Sequence, residues 1–147
     1  VGCHVDGLAH NGIAGRGYNG VHYTEFFAKG GLRRLGAENM HSWVTRGVCL
    51  DIAALRSVEV MSPGDMVTVA DLEAAEARQG VTVGPGDAVL IHTGWMSLWQ
   101  VDNDRFLDGE PGIGWDAAHW LTDRRVSIVG ADNWAFEVIP FERPERA

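Results

Sequence analysis

Apolar and polar positions divide this chain into short segments of contrasting period. "VCLDIAAL" (48–55) begins as a continuous apolar run and reads as the start of a buried strand. "TVADLEAAEARQG" (68–80) has helical character: Ala-rich helix formers follow Thr68, a residue suited to an N-cap. Asp71 stands three places on, at the capping-box spacing, and Gly80 falls where a C-terminal glycine belongs. The predicted helix covers 69–79. "DAVLIHTG" (87–94) follows a Pro-Gly turn and reads as a buried strand. "GWDAAHWLTDRR" (114–125) predicts a second helix with Ala117, Trp120 and Leu121 on one face. "RVSIVGAD" (125–132) predicts a further buried strand with Asp132 at its polar end. Residues 1–6 read as the tail of a strand, and the glycine-bearing stretch 7–23 as a long irregular loop of the kind that carries function. "PGDMVTV" (63–69) and "PGDAVLI" (85–91) echo each other as two turn-plus-strand starts rather than as a repeat. Strands and helices together predict an α/β or α+β domain.

Composition narrows the functions open to such a domain. The chain has 147 residues, 46% hydrophobic and 22% charged, as expected for one globular domain. A chain of that size buries roughly 70% of its unfolded surface. No linker or low-complexity tract interrupts it. The net charge is −8, which argues against nucleic acid or an anionic membrane as partner, because phosphate binding needs a basic face. No apolar run approaches the ~20 residues of a membrane span. Cys3 and Cys49 make no disulfide framework, and reduced thiols in a cytoplasmic protein are the expectation.

The chemistry-bearing residues gather at the start. "VGCHVDGLAH" holds His4, Asp6 and His10. On a strand, positions two apart share a face, so His4 and Asp6 project together while Val5 turns away. One imidazole and one carboxylate begin a Zn²⁺ or Mn²⁺ site, although most His-x-Asp pairs are a histidine hydrogen-bonded to its carboxylate. His10, in the following turn, can fold back as a proton shuttle, since imidazole gives and takes protons near neutrality.

"GCHVDGLAH" resembles the signature of the cyclase family, metal-dependent hydrolases that include bacterial kynurenine formamidase and isatin hydrolase. The family pattern is His-x-Gly-Thr-His-x-Asp-x-x-x-His. The resemblance continues through "YNG" (18–20), "TRGVCLD" (45–51), "DLEAAEARQGVTVGPGDAVLIHTGW" (71–95), "GEPGIG" (109–114) and "VGADNWAFEVIP" (129–140). It implies an α/β fold of the swivelling β/β/α type, with a central sheet flanked by helices. Position by position it implies that His4 and Asp6 are metal ligands and that His10 is the catalytic histidine. The cofactor implied is a divalent metal, Zn²⁺ or Mn²⁺. The family's first histidine ligand would stand one place before Val1, and its last His and Glu ligands beyond Ala147. The expectation is therefore a single domain, 1–147, truncated at both ends and inactive alone. Cys3 stands where the family has threonine and is expected to pack.

The implied activity is hydrolysis of an amide C–N bond in a small cyclic or aryl amide by a metal-activated water. A lactonase or polyketide cyclase on the same scaffold is the nearest alternative. A non-catalytic small-molecule-binding domain, or a thiol enzyme using Cys3 with His10, stand further off. The expected partners are a small-molecule substrate and further copies of the chain, with no nucleic acid and no membrane.

Other residues carry weaker signals. Tyr18 and His22 lie in the loop after His10, where Tyr18 is a candidate substrate contact and His22 reads as a solvated loop residue. Asp132 and Trp134 are further substrate candidates, because the resemblance is dense around them. Asp51 ends a buried strand and reads as a turn cap or a holder of a backbone amide. His41, His92 and His119 lack partner spacing and read as structural. Six tryptophans are many for this length, and core or interface packing explains them more simply than an aromatic pocket. "GIAGRG" lacks the strand-to-helix context and the Lys-Ser/Thr ending of a phosphate loop.

Overall fold

The computed structural model describes residues 4–144. The described residues divide into two compact units, 4–44 and 45–144.

The first unit is mostly irregular. Tyr18–Gly20 forms a 3₁₀ turn, and α1 (Tyr23–Phe26) is a single helical turn capped by the His22 side chain. The hairpin β1 (Phe27–Ala28) and β2 (Gly31–Leu32) follows, antiparallel. The strand expected over residues 1–6 is not formed in its described part: residues 4–6 carry no regular structure. The physical reason is the tight turn that opens at Gly7 directly after them and takes the backbone out of an extended course. The nearest backbone hydrogen bonds join Ala9 N to Leu35 O and His10 N to Gly7 O, which makes a turn. Residues 1–3, including Cys3, lie outside the described residues.

The second unit is built on a parallel sheet of order β3-β5-β7: β3 (Gly47–Asp51), β5 (Ala88–His92) and β7 (Ile128–Ala131). Between them come α2 (Ile52–Leu55), β4 (Met66–Val67), α3 (Val69–Gln79), α4 (Asn103–Leu107), β6 (Gly112–Ile113) and α5 (Trp115–Asp123). Strands β4 and β6 make a second, short parallel pair. This is the expected α/β class, a parallel sheet with helices packed on it.

Alternation along the strands decides which face is covered. Val48 and Leu50 of β3, with Val89 and Ile91 of β5, are buried against Leu72 and Ala75 of α3 and Ala117, Trp120 and Leu121 of α5. Their neighbours Cys49, Leu90 and His92 point the other way and are exposed. The helix at 69–79 is as the sequence predicts. Thr68 Oγ1 accepts from Asp71 N at 3.2 Å, Asp71 accepts from Thr68 N at 2.8 Å, and Gly80 closes the helix in the left-handed region. Asp71 is also held by Arg56 at 2.8 Å. Arg56, together with the Thr68 donors, keeps the Asp71 carboxyl below its ordinary range despite burial, the largest single influence. A second pair, Arg46 with Asp87 at 2.5 Å, ties the turn before β5 to the chain entering β3 and holds Asp87 down to about 2. Among the described residues no helix is long and apolar enough to cross a membrane.

Candidate functional site

In the first unit the three residues picked out in the opening stretch come together. His4 Nε2 lies 3.5 Å from Asp6 Oδ1, and His10 Nδ1 lies 3.8 Å from the same oxygen. The turn at Gly7–His10 does this, bringing His10 back over Asp6 four residues after it. The three side chains are about half exposed, open to a ligand from solvent.

Neutral imidazole nitrogen and carboxylate oxygen are donors suited to Zn²⁺ or Mn²⁺. Two such donors, each about 2.1 Å from one tetrahedral cation, would stand roughly 3.4 Å apart, close to the His4–Asp6 separation. The pair therefore fits two corners of a metal site. Among the described residues no group of three or more His, Cys, Asp or Glu side chains is arranged to hold a metal ion. Tyr18, the candidate substrate contact, opens the 3₁₀ turn with its ring exposed. His22 is not merely solvated: its Nδ1 accepts from Thr24 N and caps α1.

The second unit holds the remaining candidates. Asp132 follows β7, and its Oδ1 accepts from Thr93 N at 2.7 Å and from the Thr93 hydroxyl at 2.6 Å. Its Oδ2 lies 3.7 Å from His92 Nε2. His92 Nδ1 is 3.0 Å from Asp51 Oδ1, which also accepts from Ala54 N at 2.9 Å as the N-cap of α2. The His92 hydrogen bond, helped by the Ala54 amide, lowers the Asp51 carboxyl below its ordinary range. Asp51 is thus the backbone-amide holder that the sequence predicts, and it has a second role. His92, without partner spacing along the chain, finds carboxylates on both sides of its ring. Cross-strand register supplies them: Asp51 pairs directly with His92, and Asp132 follows the strand on the other side. Cys49, on the same face as Asp51, has its thiol pushed up by burial first and by Asp51 and Asp132 next, the opposite of an activated nucleophile.

Trp134 is tied into the protein at both ends. Its indole N–H donates to Phe106 O at 3.1 Å, and its backbone N–H donates to Glu110 at 2.7 Å. Glu110 is fully buried and also accepts from Ala135 N at 2.8 Å. Burial raises its carboxyl to about 7, against the lowering effect of the two amides, and Asp132 adds to the rise. Nothing in "GEPGIG" announces this carboxyl, because its partners are backbone amides two dozen residues later.

A parallel sheet with helices packed on it defines an α/β protein. The sequence model of the Cyclase family matches residues 1–138. The chain belongs to the Cyclase family. A crystal structure described as a novel cyclase matches with a TM-score of 0.82 at 34% identity, over 91% of this chain and 47% of the other. The chain thus spans about half the length of that solved relative. A crystal structure of an isatin hydrolase bound to the product analogue thioisatinate matches with a TM-score of 0.48 at 24% identity, over 59% of this chain and 34% of the other. Isatin hydrolase A from Ralstonia solanacearum matches with a TM-score of 0.49 at 30% identity, over 60% of this chain and 35% of the other. No curated protein matches the chain.

Proposed function

We propose that this chain belongs to a metal-dependent hydrolase that cleaves an amide C–N bond in a small cyclic or aryl amide, in the manner of a kynurenine formamidase. The observation that carries the reading is the convergence of His4 and His10 on one oxygen of Asp6 in a chain of the Cyclase family.

In this reading His4 Nε2 and Asp6 Oδ1 are the residues that hold Zn²⁺ or Mn²⁺. A divalent cation supplies Lewis acidity, polarising a carbonyl and easing ionisation of water. His10 Nδ1 faces Asp6 at 3.8 Å, and Nε2 is the ring nitrogen assigned to proton transfer. His10 Nε2 takes the proton of the attacking water and returns it to the leaving nitrogen, so the C–N bond breaks to give a carboxylic acid and a neutral amine. Tyr18 offers an exposed ring and hydroxyl to an aryl substrate.

The test measures Zn²⁺ and Mn²⁺ binding, and hydrolysis of N-formylkynurenine and isatin, in the protein to which this chain belongs, unaltered and as His4→Ala, Asp6→Ala and His10→Ala. Loss of metal affinity is expected for the first two. His10→Ala should keep the metal and lose a factor of ~10²–10⁴ in rate. Metal binding indifferent to His4 and Asp6, or a metallated His10→Ala protein working at the unaltered rate, would refute the proposal.

A further inference from the structure

A cavity of about 200 Å³ lies in the second unit, where the end of β6, the first turn of α5 and the segment 136–143 meet. The proposed hydrolysis does not use it. Backbone pairing pins two of its walls together: Ile113 N donates to Phe136 O and Val138 N donates to Ile113 O, each at 3.2 Å.

The floor and the mouth of this cavity differ in chemistry. Ile113 and Val138 are buried and Phe136 is half-buried, so the floor is apolar. A void of ~150 Å³ is enough for benzene, so this one takes a single substituted ring. Trp115, Glu137 and Glu142 are exposed at the mouth. Glu142 Oε2 accepts from Trp115 N at 2.6 Å, which fixes one carboxylate at the start of α5. Glu137 brings a second. The guanidinium of Arg143 lies 5.0 Å from the centre of the Trp115 ring, so the chain itself places a planar cation on that aromatic face. Among the described lining residues Arg143 is the one cation, against two carboxylates. Such a mouth repels an anion, and a neutral ring gains nothing from its carboxylates. A cation gains from both the carboxylates and the indole, and the net charge of −8 draws cations towards the molecule.

We propose that this cavity binds a small aromatic cation of the aryl amidinium or aryl guanidinium type. The ring of the ligand fills the apolar floor of Ile113, Phe136 and Val138. Its charged group takes the place of Arg143 on the Trp115 face, beside the carboxylates of Glu137 and Glu142. Arg143 is the built-in competitor: its long side chain swings out when the ligand enters. Glu142 need not leave Trp115 N, because a carboxylate has lone pairs for both the backbone amide and the ligand. The cavity belongs to the second unit alone, and the proposal is independent of the His4–Asp6–His10 reading.

Benzamidine titrated into the whole protein tests it, with benzamide as the neutral ring of similar shape and benzoate as the anion. The backbone and indole N–H shifts of Trp115 in NMR spectra read occupancy. A saturable shift is expected with benzamidine, with affinity falling from benzamidine to benzamide to benzoate. Glu142→Gln keeps an oxygen for Trp115 N but removes the charge, and should weaken benzamidine roughly two- to fivefold while leaving benzamide unchanged. Arg143→Ala vacates the Trp115 face and should tighten benzamidine roughly two- to fivefold. Asp104→Asn makes the same charge change in α4, outside the cavity lining, and should move neither ligand. Circular dichroism checks that the variants fold. No saturable shift up to the solubility limit of benzamidine would overturn the proposal, as would benzamide binding as tightly as benzamidine. So would a folded Arg143→Ala protein that binds benzamidine no more tightly, or an Asp104→Asn effect equal to that of Glu142→Gln.

Discussion

Glu110 gives the sharpest test of the second unit's energetics. Its carboxyl has no exposed surface and sits near about 7 in the folded protein against 4.5 for an ordinary glutamate. A folded-state value above the unfolded one means that the folded protein binds the extra proton between those two pH values. Unfolding therefore releases a proton there, and stability falls as pH rises from about 4.5 to about 7, then levels off. The difference between those two values corresponds to about 3 kcal/mol, an upper figure. Glu110→Gln removes the titration but keeps the shape. One amide oxygen still accepts from Trp134 N or Ala135 N, while the NH₂ group faces the other donor and leaves it unpaired. An orphaned buried donor costs about 1–3 kcal/mol. At pH 5, where the natural carboxyl is largely protonated and uncharged, that cost stands alone, so the variant is less stable by about that amount. At pH 8 relief of the buried charge offsets it, and the two proteins should differ little. Urea unfolding followed by tryptophan fluorescence suits the region, because the Trp95 and Trp134 indoles both donate to Phe106 O. Parallel stability–pH curves for the two proteins between pH 4.5 and 7 would show that Glu110 does not titrate in that range and would refute the reasoning.

Two further substitutions probe the frame that carries the strand ends. Thr68→Ala deletes the Oγ1 acceptor for Asp71 N and should destabilise by ~1 kcal/mol in thermal unfolding; an unchanged midpoint would remove the capping argument. Gly94 has φ +78°, and an added Cβ would run into Glu59 O. Gly94→Ala should therefore combine left-handed strain of ~1–2 kcal/mol with overpacking of ~1–3 kcal/mol; a measured loss below about 1 kcal/mol in urea unfolding would contradict so close an approach of the two backbones.

What is legible along the chain, and what stays hidden, follows from the range of each interaction. The 69–79 helix is readable because its signals are local: Thr68 and Asp71 cap each other across three residues, and Gly80 supplies the left-handed end. The apolar runs that open at 48 and 87 are readable as strands, β3 ending at Asp51 and β5 at His92, although only one face of each is buried. The His4–Asp6–His10 convergence is also expected, yet for a partly mistaken reason. No strand aligns residues 4–6. The two-residue spacing still brings His4 and Asp6 within 3.5 Å, and the turn at Gly7–His10 returns His10 to them.

The residues that stay hidden depend on register. His92 stands 41 positions from Asp51, and Asp132 lies 39 positions beyond Thr93. No window along the chain contains such a pair. Glu110 is hidden in the same way, since it answers the amides of Trp134 and Ala135. A parallel sheet makes this unavoidable, because each crossover inserts a helix between strands that then lie side by side. Periodicity tells which face a residue joins, but pairing register decides which residues meet on that face. Asp51, His92 and Asp132 each look like the polar end of a separate strand. They become a chemical group only when the Asp51–His92 pairing and the Ile91–Ala131 pairing bring three strand ends level at one edge. The polar residue that closes a buried parallel strand is thus better read together with its counterparts on neighbouring strands than as a cap of its own turn.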